Sequence, residues 1–243
     1  MRDVIDLHTH TIASGHACNT INEMVQAAVA RGLKILGITE HAPAMQGTCS
    51  EYYFSNLKAL PREKQGIRVL YGAEVNILDV DGHVDLPEDI LAQMDVVIAS
   101  MHIPCFKSGT MEENTRAYLN VMKNPYVNII GHPDDERYPV DYRALAEAAA
   151  AHGVLLEVNN TSLSPLSIRV GAVDNYRKLL KYCREFGTRI IIDSDAHVDL
   201  DVGNHELAHQ LLEEEGFPEE LVVNDRPELL KDYLKKNRKG GLL

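Results

Sequence analysis

The stretch Val4-Ile5-Asp6-Leu7-His8-Thr9-His10 decides how the rest of the chain is read. A short apolar run suited to a buried strand ends by delivering two imidazoles two residues apart. Alternation along a strand puts such residues on one face, so His8 and His10 can reach a common ion. The plan recurs down the chain. Ile35 to Thr39 leads to His41, Val69 to Ala73 ends on Glu74, Val96 to Met101 delivers His102, and Val127 to Gly131 delivers His132. Val154 to Val158 delivers Asn159 and Asn160, Arg189 to Ser194 delivers Asp195-Ala196-His197, and His16 closely follows the first run.

Between these runs lie helical segments with recognisable ends. Thr20-x-x-Glu23 and Thr110-x-x-Glu113 are capping boxes, the second opening a helix to about Lys123. Asp141 caps an Ala-rich stretch from Leu145 to His152 that Gly153 ends, and Asp174 to Phe186 forms a helix stopped at Gly187. Strands alternating with helices predict a parallel sheet, and runs apolar throughout predict strands covered on both faces. Seven such units predict an α/β fold, a distorted seven-stranded (βα)7 TIM-like barrel, with an open doubly wound sheet as the alternative. Leu221-Val222-Val223 is a marginal eighth strand because its neighbours are charged and Pro-rich. Two more helices are expected at about Glu206 to Glu215 and Pro227 to Lys236, and the basic tail from Lys235 to Gly241 reads as frayed. No shift in composition marks a linker, so residues 1–243 read as one domain.

A chain of 243 residues is normal for one α/β barrel. Its formal charge of −12 disfavours nucleic acid as a partner, because that needs a basic footprint to displace counterions. A phosphorylated substrate stays open, since bound metal ions reverse a local field. The four cysteines are scattered with no C-x-x-C pair, which predicts a reduced, cytoplasmic setting. Arg2-Asp3 ahead of a four-residue run does not read as a signal peptide, and no apolar stretch approaches the ~20 residues of a membrane span. The sequence does not set the oligomeric state, and a homo-oligomer is compatible with it.

One histidine beside a strand is ordinarily a hydrogen-bonded structural residue. Position changes that reading here: seven of the eleven histidines stand at strand ends or in the first connecting loop, where barrels and doubly wound sheets gather functional groups. The other four, His83, His152, His205 and His209, read as surface residues. Asp6, Glu40 and Asp193 flank these positions and either orient imidazole N–H groups or make plain strand-end hydrogen bonds. Asn159 and Asn160 fill the one strand end without a metal-type residue, so both are candidates for a substrate contact, Asn159 first, or for a role in orienting the ligands. Arg169, in the following loop, is a candidate phosphate clamp against the plainer reading of a solvated loop arginine. Cys18 and Cys105 read as small buried residues.

Asp6-Leu7-His8-Thr9-His10, Thr39-Glu40-His41, Gly72-Ala73-Glu74, Gly131-His132-Pro133 and Ser194-Asp195-Ala196-His197 together resemble the successive motifs of the PHP (polymerase and histidinol phosphatase) superfamily. The length, Ile77 to Gly82 and Glu157-Val158-Asn159-Asn160 are similar to its small stand-alone YcdX-type members. The resemblance implies a distorted seven-stranded barrel with three divalent transition-metal ions, zinc first and manganese or iron as alternatives. It implies that His8, His10, Glu74 and Asp195 hold the first ion, that Glu74 bridges to a second completed by His102 and His132, and that His16, His41 and His197 hold the third. Glu74, Asp195 and His197 are assigned to the chemical step.

Ions with only three protein ligands keep open positions, as catalytic zinc does, and histidine with carboxylate but no thiolate suits a hydrolase. The expected activity is hydrolysis of small phosphomonoesters, with metal-bound hydroxide as nucleophile because coordination lowers the pKa of water to about 7. The alternatives are a phosphodiesterase or 3′–5′ exonuclease, a non-catalytic metal-binding interaction module, and amide or lactone hydrolysis.

Overall fold

In a computed structural model, which describes residues 3–234, the seven apolar runs become seven parallel strands in sequence order around a nearly closed barrel. They are β1 (Ile5–Asp6), β2 (Ile35–His41), β4 (Ile67–Asn76), β5 (Val97–Ser100), β6 (Ile129–Ile130), β7 (Leu155–Asn159) and β8 (Ile190–Asp193). The two-residue strand β3 (Glu63–Lys64) folds back antiparallel onto the start of β4 through a turn at Gln65-Gly66, both at positive φ. The barrel expected from the sequence is therefore present, and the open sheet is not.

Strand alternation divides the core in two. Ile5, Leu7, Ile35, Leu70, Val96, Ile98, Ile129, Leu155 and Ile191 pack together in the lumen, joined by Val223, Leu230 and Leu234. The alternating residues, such as Leu36, Ile38, Val69, Tyr71, Leu156 and Ile192, pack outward against the helices. Higher in the lumen the wall runs too close for side chains. A Cβ on Gly72 would lie 2.0 Å from the Val96 carbonyl oxygen, and one on Gly37 would lie 2.3 Å from that of Leu7.

The barrel closes differently between β8 and β1. Only one parallel bridge, Thr9 with Ala196, joins them, and the His10 N–H donates to the Ala196 carbonyl at 2.9 Å. Side chains supply much of the rest. Asp193 Oδ1 accepts from Leu7 N at 2.6 Å, and Asp6 accepts from Ser194 Oγ at 2.6 Å and from Gly203 N at 2.8 Å. Val222 makes a single parallel bridge to Ile190, and buried Asn224 donates to the carbonyls of Ile5 and Ile192 while accepting from Ile192 N. The doubtful eighth strand is thus one bridge to β8, one backbone hydrogen bond from Val4 N to the Asn224 carbonyl at 2.9 Å, and one amide side chain stitched into the gap.

The helices are α1 (Ile21–Arg31), α2 (Glu51–Asn56), α3 (Glu88–Leu91), α4 (Met111–Val121), α5 (Tyr142–His152), α6 (Ala172–Phe186), α7 (Glu206–Glu214) and α8 (Pro227–Leu234). Both capping boxes form, and Gly32, Gly153 and Gly187 cap α1, α5 and α6 in the left-handed conformation. Helix α6 begins two residues ahead of the expected Asp174, and α2 and α3 were not anticipated, being too short to show a period. The tail from Lys235 to Gly241 lies outside the described residues. Among the described residues no helix is long and apolar enough to cross a membrane. Two expectations of burial fail: Cys18 is exposed and Cys105 half-buried.

Candidate metal centre

Parallel strands aim their carboxyl ends the same way, and Glu74 on β4 is the hub on which they converge. It is fully buried. Its Oε1 lies 2.8 Å from His132 Nε2 and 3.2 Å from His102 Nε2. Its Oε2 lies 2.6 Å from His41 Nδ1, 3.4 Å from His8 Nε2 and 3.5 Å from His10 Nε2. Asp195 Oδ1 faces the same space, 3.3 Å from His10 Nε2 and 3.6 Å from both His8 Nε2 and His197 Nδ1. His197 Nε2 in turn lies 3.0 Å from His16 Nε2. The fold thus gathers all nine residues in one cluster.

The rings are fixed from behind. His8 Nδ1 meets Glu157 Oε1 at 2.6 Å, His102 Nδ1 meets Asn76 Oδ1 at 2.7 Å, and His10 Nδ1 meets Ser14 Oγ at 3.0 Å. Ser14 spends its own hydrogen on Glu40 Oε2, so it accepts from His10. Each contact places the ring proton on Nδ1 and leaves an Nε2 lone pair aimed inward. Five buried atoms, His8 Nε2, His10 Nε2, His41 Nδ1, His102 Nε2 and Glu74 Oε2, face one another without a well-aligned hydrogen bond, although His41 Nδ1 and Glu74 Oε2 lie 2.6 Å apart. Buried polar atoms are ordinarily satisfied, and several lone pairs converging on one space need a cation between them. Three overlapping sets, His8/His10/Glu74, His41/Glu74/His102 and His10/His41/His197, each bring their donor atoms within 4.8 Å and could hold an ion. The donor set fits.

Burial would raise the Glu74 carboxyl, but His102, His41 and His8 outweigh it and hold it well below the usual range. Burial opposes ionisation of Asp195 too, and His8, His10, Arg169 and His197 reverse it. Burial, then His41 and His197, push His10 well down, so its lone pair is free. His8 differs: burial disfavours its proton, yet Glu157, Glu74 and Asp195 together pull it well up. That acidic surround is a demand for positive charge. Two residues of the cluster, His132 at φ 29 and Asp195 at φ 54, sit in the left-handed region that side chains avoid, at a cost on the order of 1–3 kcal/mol each. Among the described residues the other such residue is Gln65, in the hairpin turn.

The cluster opens into a cleft of about 450 Å³, walled in part by Met101, Ile103, Tyr138, Ile168 and Arg169. Arg169 is no solvated loop residue. Its side chain is only 15% exposed, with Nη2 3.1 Å from Asp195 Oδ2 and Nη1 3.1 Å from Ser162 Oγ. Asn159 is fully buried, its amide donating to Asp195 Oδ2 at 3.1 Å and Glu157 Oε2 at 3.2 Å. Of the three flanking acids, only Glu40 supports an imidazole of this cluster, and it does so through Ser14. Asp193 and Asp6 instead bind the β1–β8 seam. The supporting roles fall to Glu157, Asn76 and Ser14, which the sequence reading did not assign. The signal for Glu157 was present: an acid inside the apolar run of β7.

A barrel with a histidine–carboxylate cluster at the carboxyl ends of its strands defines the class. The family model for the PHP domain matches residues 6–163, and this chain belongs to that family. Asp195 and His197 lie beyond the match, but β8 places them in the same cluster. The chain is 45% identical to a probable phosphatase of Clostridium novyi over 98% of its length and 97% of that protein's. It is also 45% identical to a probable phosphatase of Caldanaerobacter subterraneus over 99% and 95%. Among solved structures it resembles histidinol phosphate phosphatase of Lactococcus lactis, solved with zinc, L-histidinol and phosphate, at a TM-score of 0.64 and 23% identity, covering 89% and 95% of the two chains.

Proposed function

We propose that this protein is a phosphatase that hydrolyses small phosphomonoesters at a centre of three divalent transition-metal ions, zinc first among the candidates. The observation that carries the reading is the convergence of five buried donor atoms, none with a well-aligned hydrogen bond, beneath an open cleft. The relatives named probable phosphatases and the zinc and phosphate of the Lactococcus enzyme point the same way. In this reading His8, His10, Glu74 and Asp195 hold one ion, Glu74, His102 and His132 a second, and His16, His41 and His197 a third. Such ions, when bound, supply Lewis acidity at phosphorus and activate water at neutral pH.

The chain's own residues do the rest. Glu74 and Asp195 remain ionised because the surrounding imidazoles outweigh their burial. Glu157, Asn76 and Ser14 hold three rings with lone pairs inward, so no reorientation is needed when the substrate arrives. Arg169, anchored on Asp195, turns a guanidinium towards the cleft, where it binds phosphoryl oxygens. No serine or cysteine nucleophile is required.

The test uses protein whose metal content has been measured. Wild type should cleave aryl, sugar and nucleotide monophosphates with higher kcat/KM than a labelled oligonucleotide. His10→Ala and Asp195→Ala should each lose bound metal and at least about a hundredfold in activity while keeping a wild-type circular dichroism spectrum. Full activity in both variants would overturn the site. A clear preference for the oligonucleotide would assign an exonuclease, and inactivity on every phosphate ester with full metal loading would assign amide or lactone hydrolysis.

A further inference from the structure

His205 and His209, expected at the surface, are instead drawn together. His205 is buried and His209 half-buried, and both reach one carboxylate oxygen: Asp3 Oδ2 lies 2.6 Å from His205 Nδ1 and 2.7 Å from His209 Nε2. We propose that Asp3, His205 and His209 form a separate divalent transition-metal site, of the zinc class, that clamps the start of β1 to the first turn of α7.

The spacing is the first argument. His205 caps α7 and His209 follows four residues later, so both rings stand on one face of the helix and can share an ion. Asp3, immediately ahead of β1, completes a set of two imidazoles and a carboxylate whose donor atoms lie within 4.8 Å of one another. Such a set, without thiolate, suits zinc or a neighbouring divalent ion.

The second argument is what a purely hydrogen-bonded cluster would leave undone. Asp3 Oδ1 and His205 Nε2 are both buried without a hydrogen-bond partner, and Asp6 Oδ1 stands 3.9 Å from that Nε2. An ion shared by Asp3 and the two imidazoles would use the idle carboxylate oxygen. It would also place the proton of His205 on Nε2, facing Asp6, which is the usual arrangement behind a metal-bound imidazole. The local charge agrees. Two carboxylates, Asp3 and Asp6, face the two imidazoles.

None of the three residues belongs to the cluster around Glu74. Asp6 alternates with the lumen residues Ile5 and Leu7, so the site lies on the outer side of the barrel wall, where it would brace the β1–β8 seam.

The test counts ions in the full-length protein after equilibration with Zn2+ and removal of excess. His209→Gln and Asp3→Asn should each retain one ion fewer than wild type, with hydrolytic activity unchanged. Titration with Co2+ should show one class of bound ion missing from the visible spectrum of both. Asp3→Asn keeps the side-chain volume, so it decides the matter should His209→Gln fold poorly. Ion counts equal to wild type in both variants would overturn the proposal, as would loss of every ion in either. The difference between proteins is independent of how many ions the Glu74 cluster holds, so this result stands apart from that of the phosphatase reading.

Discussion

At the scale of single residues, an imidazole in this protein is defined by the atom behind it. Glu157 meets His8 Nδ1 at 2.6 Å and the backbone N–H of His132 at 2.6 Å, so one buried carboxylate fixes two members of the cluster. Glu157→Gln keeps the shape, and the amide oxygen can still accept the His8 proton, but the negative charge that makes the imidazole a stronger donor is lost. The expected outcome is metal affinity or activity lower by about 10–100-fold with the fold intact. Competition titration against a chelator measures it, and unchanged affinity would show that Glu157 serves packing alone. The nine cluster residues were legible because each stands at or just beyond the end of one of six apolar runs. Two of their supports were not, because support there is a tertiary relation: Glu157 lies 149 residues from His8, and Asn76 lies 26 from His102, whereas Ser14 is only four residues from His10. Nor could spacing show that His205 would turn inward, since its partner Asp3 lies 202 residues away.

Elements tell the same story at longer range. Capping boxes, glycine stops and apolar runs are local, so seven strands and the larger helices could be placed from sequence. The seam could not, because side chains carry much of it and its few backbone bonds join segments far apart in sequence. Asn224 carries three hydrogen bonds there: 3.1 Å to the Ile5 carbonyl, 2.6 Å to that of Ile192, and 2.8 Å from Ile192 N. In sequence it is an ordinary asparagine before Asp225-Arg226-Pro227. Asn224→Ala leaves buried backbone groups on both β1 and β8 unpaired, at about 1–3 kcal/mol for each group that water cannot reach. Urea unfolding should show a loss of at least about 2 kcal/mol, while exposed substitutions remain within about 0.5 kcal/mol. A loss as small as the surface range would mean that the barrel closes without this residue. Because β1 carries His8 and His10 and β8 leads to Asp195, metal affinity should fall with stability in this variant.

For the whole molecule the governing quantity is a charge of −12 set against the positive centre that the proposed ions would form in the cleft. On the proposed function, the acidic surface would repel a phosphorylated substrate from a distance, whereas ions at the base of the cleft would attract it at close range. Salt separates the two effects. The screening length is about 30 Å at 0.01 M and about 8 Å at 0.15 M ionic strength, so added salt removes the distant repulsion first and leaves contact within the cleft nearly intact. A protein that grips a polynucleotide behaves the other way, since displaced counterions make its binding weaken steeply with salt. The kcat/KM for an aryl phosphate should therefore hold steady or rise, by no more than about threefold, between those two ionic strengths at constant metal loading. Initial rates in a non-coordinating salt give the measurement. A fall of about tenfold or more would mean that long-range attraction delivers the substrate, and would move the reading from a small monoester towards a polyanion.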